Sequence, residues 1–355
     1  MRFVLRRPWG FVCDEHFVVF RLFAPPRRCA IEPTRGKLMT VVRESRAMSY
    51  FFDDEDILLP LDEHAPHGAL RLPDGRAMAW AEYGSARGLP CILIPDTGMS
   101  RLAPGWLLHD TALPVHIRLL AMDRPGIGAS DPIGFGGTEQ PAEDLRRMVE
   151  TLAVGRVAVI GIGQGTDDAF AFAARYPSLV TSVTGVSVRL PGHNDSRRGL
   201  RNAFGRRHEK GWSGPLSAWI STAGRDADLT TEATWARMLE RLDAVPAQVL
   251  ADRWRESDFR EAVAADVTQI KPAWTAPARP AGPPQWVSDP RSVRVPVRLW
   301  HGKHETSPTL AQVQDIAQDQ PSWTVTTVGG SSAVLGAWSA ILTAAAESFH
   351  GAAAA

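Results

Sequence analysis

Val157-Ala158-Val159-Ile160-Gly161-Ile162-Gly163-Gln164-Gly165-Thr166-Asp167-Asp168 is the stretch on which the reading of this chain turns. Its first six residues form a continuous apolar run, the pattern of a strand buried on both faces rather than one that alternates between core and water. Glycine, the residue that with proline most strongly punctuates regular structure, stands at 161, 163 and 165. The chain continues into a helix whose first turn carries Asp167 and Asp168. A buried strand, a glycine turn and a helix form the unit from which parallel sheets wound on both faces are assembled.

The same rhythm extends in both directions. Upstream, a strand from Leu70 that ends in Pro73-Asp74-Gly75, followed by Arg76 to Tyr83, reads as a hairpin, with Asp-Gly at the turn. Buried strand runs follow at 91–94, 118–122, 157–162 and 179–188, the last three each preceded by a helical stretch. The clearest of these is Pro141 to Ala153, where Leu145, Met148, Val149 and Leu152 recur at helical spacing. Residues 190–294 break the rhythm with helical sequence that holds six of the twelve tryptophans, at 212, 219, 235, 254, 274 and 286, and a Pro- and Ala-dense linker from Thr275 to Pro284. Strands then resume at 295–300 and 323–328, with helices at about 309–318 and 335–349. The expected organisation is an α/β core over 68–189 and 295–350, with a helical cap over 190–294 inserted after the sixth strand.

Residues 1–67 form an N-terminal extension. Ten Lys and Arg against four acids occupy 1–47, and six acids with no base follow up to Glu63. It is read either as a lid or docking arm, or as a variable leader with the start at Met39 or Met48.

Bulk properties narrow the partner. The 355 residues carry no net charge, so no global field favours nucleic acid or an anionic membrane, and a small molecule is the expected ligand. Arg2, Arg6 and Arg7 precede an apolar stretch broken by Asp14, Glu15, His16 and Arg21, which fits neither a signal peptide nor a membrane span. Cys13, Cys29 and Cys91 are odd in number and lack metal or redox spacing, which suits a reducing cytoplasm. No metal-ligand cluster and no phosphate loop is evident. The Gly161-x-Gly163-x-Gly165 pattern lacks the third glycine of a dinucleotide fingerprint, and the next strand runs into Arg189-Leu190-Pro191 with no acid. No cofactor is expected.

Three separated segments, in order, resemble the α/β-hydrolase superfamily, particularly its proline iminopeptidase-like and polyketide methyl esterase-like branch. They are Ala121-Met122-Asp123-Arg124-Pro125-Gly126-Ile127-Gly128-Ala129-Ser130-Asp131-Pro132, the elbow 157–165 running into Tyr176-Pro177, and Val295-Pro296-Val297-Arg298-Leu299-Trp300-His301-Gly302. The resemblance covers roughly 68–349 and implies a mostly parallel, doubly wound sheet with a cap over the pocket. It also implies where a Ser, an acid and a His belong. The elbow G-x-S-x-G puts the nucleophile at Gly163, which has no side chain to acylate. The acid position falls on Glu305, and the histidine position on Ala333, or on Ser332 if the turn is one residue shorter. Where the family has His-Gly in its oxyanion loop, this chain has Pro95-Asp96-Thr97-Gly98. Pro95 offers no N–H, and a carboxylate at Asp96 repels a developing oxyanion.

Removing a triad serine or histidine from a serine hydrolase costs on the order of 10⁶ in turnover, so acyl-serine hydrolysis is not expected. Ser331, Ser332, Thr97 and Thr166 are hydroxyls near the expected mouth, poor nucleophiles without a positioned base. The N–H groups of Gln164 and Gly165, at the positive end of their helix, are expected to face the pocket as an anion or carbonyl site. Asp96 reads as a general acid or base or as a loop-capping residue, and Asp167 and Asp168 as catalytic groups or as stabilisers of the helix's first turn. His301 and His304 flank Gly302 beside Glu305 as candidate bases, or His301 is a strand-end residue. His109 reaches the pocket or is a surface or core histidine. The Trp-rich cap roofs a flat ligand or is ordinary helix packing. Two functions are expected first, a non-hydrolytic enzyme that isomerises, cyclises, eliminates or rearranges a small molecule of specialised metabolism, or a binding or scaffolding pseudoenzyme; a hydrolase with a relocated nucleophile is the remaining alternative.

Overall fold

The computed structural model describes residues 67–188 except 97, 110, 112, 115 and 134–139, residues 255–275, residues 290–351 except 304, 306, 307 and 330–336, single positions at 233, 236 and 253, and five N-terminal strands. Strand β10 (Val157–Ile162) is buried at every position. The reason lies in its neighbours. It pairs in parallel with β8 (Leu89–Ile94) on one side and β11 (Val180–Val186) on the other, and both of its faces are covered. Val157 and Val159 belong to one apolar cluster, with Leu145, Met148, Phe170, Phe172, Val313 and Ile316. Ala158, Ile160 and Ile162 belong to the other, with Trp106, Phe259, Val263, Ile341 and Leu342.

Helices α2 (Gln140–Thr151), α3 (Gly165–Arg175) and α5 (Leu310–Gln318) therefore cover the first face. Helices α1 (Pro104–Leu107), α4 (Ser257–Thr275) and α6 (Trp338–Gly351) cover the second. The sheet is completed by β5 (Ile57–Leu58), β6 (His67–Arg71), β7 (Ala77–Gly84), β9 (Ile117–Met122), β12 (Val297–Gly302) and β13 (Trp323–Val328), in the order β13-β12-β11-β10-β8-β9-β7-β6-β5. Its pairings from β13 through to β9 are parallel, and those of β9 with β7, β7 with β6 and β6 with β5 are antiparallel.

The hairpin expected at Asp74-Gly75 is β6–β7, with Gly75 at φ +85°. Several strand ends differ from the sequence reading by one or two residues, and two of the differences have a plain cause. β11 stops at Val186 because Ser187 turns into left-handed backbone, φ +50°. β12 starts at Val297 instead of Val295, after Pro296, which has no N–H to give to a ladder. α5 begins in a capping box, with Thr309 and Gln312 satisfying each other's backbone N–H groups. β5 pairs with Leu70 and Ala69, so the sheet begins before residue 68. Further upstream, β1 (Val12–Asp14), β2 (Phe17–Arg21), β3 (Leu38–Arg43) and β4 (Arg46–Phe51) form a four-stranded sheet of their own, which contains Met39 and Met48. Their short apolar runs carry no marked alternation, which is why they escape a periodicity reading.

Most of the expected cap, 190–294, lies outside the described residues, and so do the side chains of its six tryptophans. Its helix α4 is joined to the core by buried polar groups. Asp266, fully buried, accepts hydrogen bonds from the Ser100 backbone N–H (2.8 Å), the Ser100 hydroxyl (2.6 Å) and Trp106 Nε1 (2.9 Å). Arg101, 1% exposed, pairs through Nη1 with Asp123 (2.6 Å) and donates to Gln269 of α4 (3.1 Å). No helix among the described residues is long and apolar enough to cross a membrane.

Burial pushes the Asp266 carboxyl up from its ordinary 3.8 to about 6, against the pull of its hydrogen-bond donors. The folded protein then holds that proton more tightly than the unfolded chain does. The resulting stabilisation is complete below about pH 4 and is lost as pH rises through about 6. Denaturant titrations of the parent and of Asp266→Asn should show the parent losing stability relative to the variant across pH 4 to 6, with a constant difference above pH 7. A difference that is flat through that window contradicts this account.

Candidate active site

Five parallel strands, β9, β8, β10, β11 and β12, bring their C-terminal ends to one edge of the sheet. Open α/β sheets collect ligands and chemistry at this edge. Here it gathers Arg124 after β9, Asp96 after β8, Gly163 and Gln164 after β10, Ser187 after β11 and Glu305 after β12.

Gly163 takes φ +53° and donates its N–H to Val186 O (2.9 Å), so the chain reverses tightly from β10 into α3. A Cβ built on Gly163 would lie 2.5 Å from Asp96 Cγ and 2.7 and 2.8 Å from its two carboxyl oxygens. The Asp96 carboxyl group therefore fills the space into which a side chain at 163 would project. Asp96 is 3% exposed, and its Oδ1 accepts the Gln164 backbone N–H at 3.1 Å. Of the two readings of Asp96, the capping contact is present. The Gln164 N–H, expected to await an anionic ligand or a carbonyl, is instead given to a side chain of this chain, because the missing Cβ at 163 lets Asp96 reach it.

Negative charge accumulates at the start of α3. Asp168, 7% exposed, accepts from Arg124 Nε at 2.9 Å. Burial alone would lower the Arg124 pKa, but Asp168 first, then Asp96 and Asp167, hold it above its ordinary value. One guanidinium thus serves three carboxyl groups. Arg124 is visible in sequence only as part of the loop that resembles a family motif, and nothing in its spacing announces Asp168, 44 positions further on. Thr166, fully buried, donates its hydroxyl to Gly161 O (3.1 Å) and so serves the turn's backbone. Pro95 is buried, and its carbonyl lies 2.8 Å from where a Cβ on Gly165 would stand.

Glu305 Oε1 accepts the Ser187 hydroxyl (2.7 Å) and the Gly302 N–H (2.8 Å), and its Oε2 lies 3.3 Å from His301 Nδ1. His301 is fully buried on the same face of β12 as Val297 and Leu299, and its Nε2 bonds Pro308 O at 3.0 Å. The order is hydroxyl, carboxylate, imidazole. A serine triad needs the imidazole between the other two to take the hydroxyl proton, so these three side chains do not form one. Ser187 was not foreseen, since its left-handed backbone has no sequence signature in a non-glycine residue.

His109 lies at the N-terminal end of α4, with Nε2 3.2 Å from Asp258 Oδ2. Thr97, His304, Ser331, Ser332 and Ala333 lie outside the described residues, so the expected histidine position is among the undescribed ones.

A family model described as the alpha/beta hydrolase fold matches residues 102–241. The chain is similar in structure to naproxen esterase from Bacillus subtilis (17% identity, 81% of this chain and 90% of that one, TM-score 0.53) and to a thermophilic esterase from Thermogutta terrifontis (17%, 81% and 99%, TM-score 0.52). A putative aryl esterase from Burkholderia cenocepacia compares alike (16%, 82% and 100%, TM-score 0.53). No curated protein matches by sequence. This chain has the α/β-hydrolase fold. In an α/β-hydrolase fold the strand–turn–helix elbow presents the nucleophile, and here that elbow is Gly161 to Gly165 with Asp96 packed onto it.

The packing of Asp96 against Gly163 makes the two positions energetically coupled. Gly163→Ser should destabilise the protein by roughly 1–3 kcal/mol through overpacking. The penalty should shrink by about 1 kcal/mol or more in an Asp96→Ala background, where the space is vacated. Chemical denaturation of the four proteins of that cycle measures the coupling, and strict additivity would show that the two side chains do not compete for one volume.

Proposed function

We propose that this chain acts on a small molecule at the C-terminal edge of its sheet without forming an acyl-serine, and that Asp96 is the proton-transfer group. The observation that carries this reading is the Asp96 carboxyl group lodged where a side chain at the elbow would project, 2.5 Å from a virtual Cβ on Gly163. The elbow offers no hydroxyl, and its Gln164 N–H already serves Asp96. An oxyanion intermediate would meet a carboxyl group where acyl transfer needs a donor. The reaction classes that suit one buried carboxyl group are proton-shift chemistries: isomerisation, elimination, cyclisation or rearrangement of a neutral or cationic substrate. Arg124, held by Asp168, keeps the local charge from becoming wholly negative. Of residues 190–294, those outside α4, which packs on the face of the sheet, are the proposed cap over this edge, and the cytoplasm is the proposed location.

A second reading, a ligand-holding protein without turnover, is favoured by the Asp96–Gln164 bond. That contact commits the carboxyl group to capping α3 and lowers its availability to a substrate.

Two measurements separate these readings from each other and from hydrolysis. Incubation with a fluorophosphonate probe and with chromogenic short-chain esters should give neither labelling nor turnover, and labelling of any serine would end the proposal. For a ligand found by screening, Asp96→Asn should retain binding within a few-fold while conversion falls by two orders of magnitude or more, the usual contribution of a positioned acid or base. A parent protein that binds the ligand and leaves it unchanged supports the holding reading instead.

A further inference from the structure

We propose that His109, Glu256 and Asp258 form a binding site for a divalent transition-metal ion, with zinc the best match, that clasps the N-terminal end of α4 to the core. His109 belongs to the turn that follows α1, whereas Glu256 and Asp258 flank Ser257, the first residue of α4. The fold brings one donor atom from each within 4.8 Å of the others. His109 Nε2 stands 3.2 Å from Asp258 Oδ2 and 3.8 Å from Glu256 Oε2. In a tetrahedral zinc site with bonds of about 2.0–2.1 Å, neighbouring donors are separated by roughly 3.4 Å. The two separations from His109 bracket that value, and with all three donor atoms within 4.8 Å of one another, rotation of the two surface carboxylates completes the geometry.

The imidazole is already aimed. Its ring packs edge-on against Phe259 (centroids 5.3 Å apart, planes at 85°), and Phe259 is fully buried in the cluster that joins α4 to the sheet. The carboxylates are the adaptable partners, since the side chains of Glu256 and Asp258 are 52% and 76% exposed. Solvent therefore reaches the site, and an ion bound there keeps water in its remaining positions. Two carboxylates beside one imidazole outweigh the positive end of α4, which by itself disfavours a cation. The mixed nitrogen and oxygen set selects the chemistry. Calcium and magnesium prefer all-oxygen shells, whereas imidazole with carboxylates suits zinc and its transition-metal neighbours. Sequence spacing conceals the site, because its histidine precedes the acids by more than the length of a conventional metal motif. The inference does not depend on the role of Asp96.

The test uses the full chain, freed of metal by chelator dialysis and titrated with zinc chloride by calorimetry, with thermal unfolding in parallel. One zinc per chain and a raised Tm are expected, with no shift from magnesium at the same concentration. Glu256→Gln and Asp258→Asn remove exposed carboxylates without loss of packing, and each should weaken zinc at least about tenfold, because even outer-shell changes at metal sites cost that much. His109→Gln should do the same, with circular dichroism checking that the variant is folded. Absence of zinc binding in the parent overturns the proposal. So does unchanged affinity in either carboxylate variant, which places the ion elsewhere on the chain.

Discussion

Between Asp96 and the turn at Gly163 there is room for one side chain, and which residue supplies it decides what the edge of the sheet can do. The left-handed turn at 163 projects any substituent toward the loop after β8. Where that residue is glycine, the loop's own Asp96 enters the space, is 3% exposed there, and finds the Gln164 N–H as its partner. The two positions are thus one structural unit in separate parts of the chain. A carboxyl group in this place changes the sign of the site. On the proposed function, this elbow opposes a negative intermediate instead of donating N–H groups to it; Arg124, beside Asp168, Asp96 and Asp167, supplies positive charge at this edge.

The same loop carries the second constraint. Ser100 and Arg101 follow Asp96 within a few residues, and they hold α4 through Asp266 and Gln269 while Arg101 also holds Asp123 at the end of β9. Burying the Arg101–Asp123 pair gains little by itself, because desolvation offsets most of the attraction. Its effect is on placement. Breaking it would leave an uncompensated charge in the core, so the loop that positions Asp96 and the helix that covers the second face of the sheet are fixed to the same point. Tyr83 adds a further tie by donating its hydroxyl to Arg101 O at 3.1 Å.

How much of this was legible in the sequence depended on range. The strand at 157–162, the hairpin at Asp74-Gly75 and the strand at 323–328 could be read because apolar runs and turn residues are local signals. The α/β-hydrolase resemblance pointed to Glu305, three residues beyond Gly302, and Glu305 lies at the end of β12 against Gly302 and Ser187. The contacts that define the site were not legible. Asp96 and Gln164 are 68 residues apart, Arg124 and Asp168 are 44, and Ser187 and Glu305 are 118. The family resemblance marked Asp96 as unusual for its loop, but only the fold shows that it occupies the space of a side chain at 163. The N-terminal sheet of residues 12–51 was missed for a different reason: two of its strands are as long as the one at 157–162, but their apolar and polar residues follow no marked alternation.

The elbow also explains how a fold and its chemistry can separate. A Cβ on Gly161 would meet the Thr166 backbone at 2.5 Å, and one on Gly165 would run into the carbonyl of Ile94. Both glycines are needed by the crossing of β10, β8 and α3, whatever the site does. At the central residue a Cβ would meet a side chain, Asp96, instead of backbone, and the left-handed turn favours glycine, so a serine there needs Asp96 to move and carries strain. Replacing serine by glycine at 163 therefore relaxes the turn and leaves the sheet, the helix and both flanking glycines undisturbed. It follows that the strand–glycine–helix signature is evidence for the α/β-hydrolase architecture, while position 163 is restricted by a side chain, Asp96, rather than by the backbone crossing that restricts its two flanking glycines.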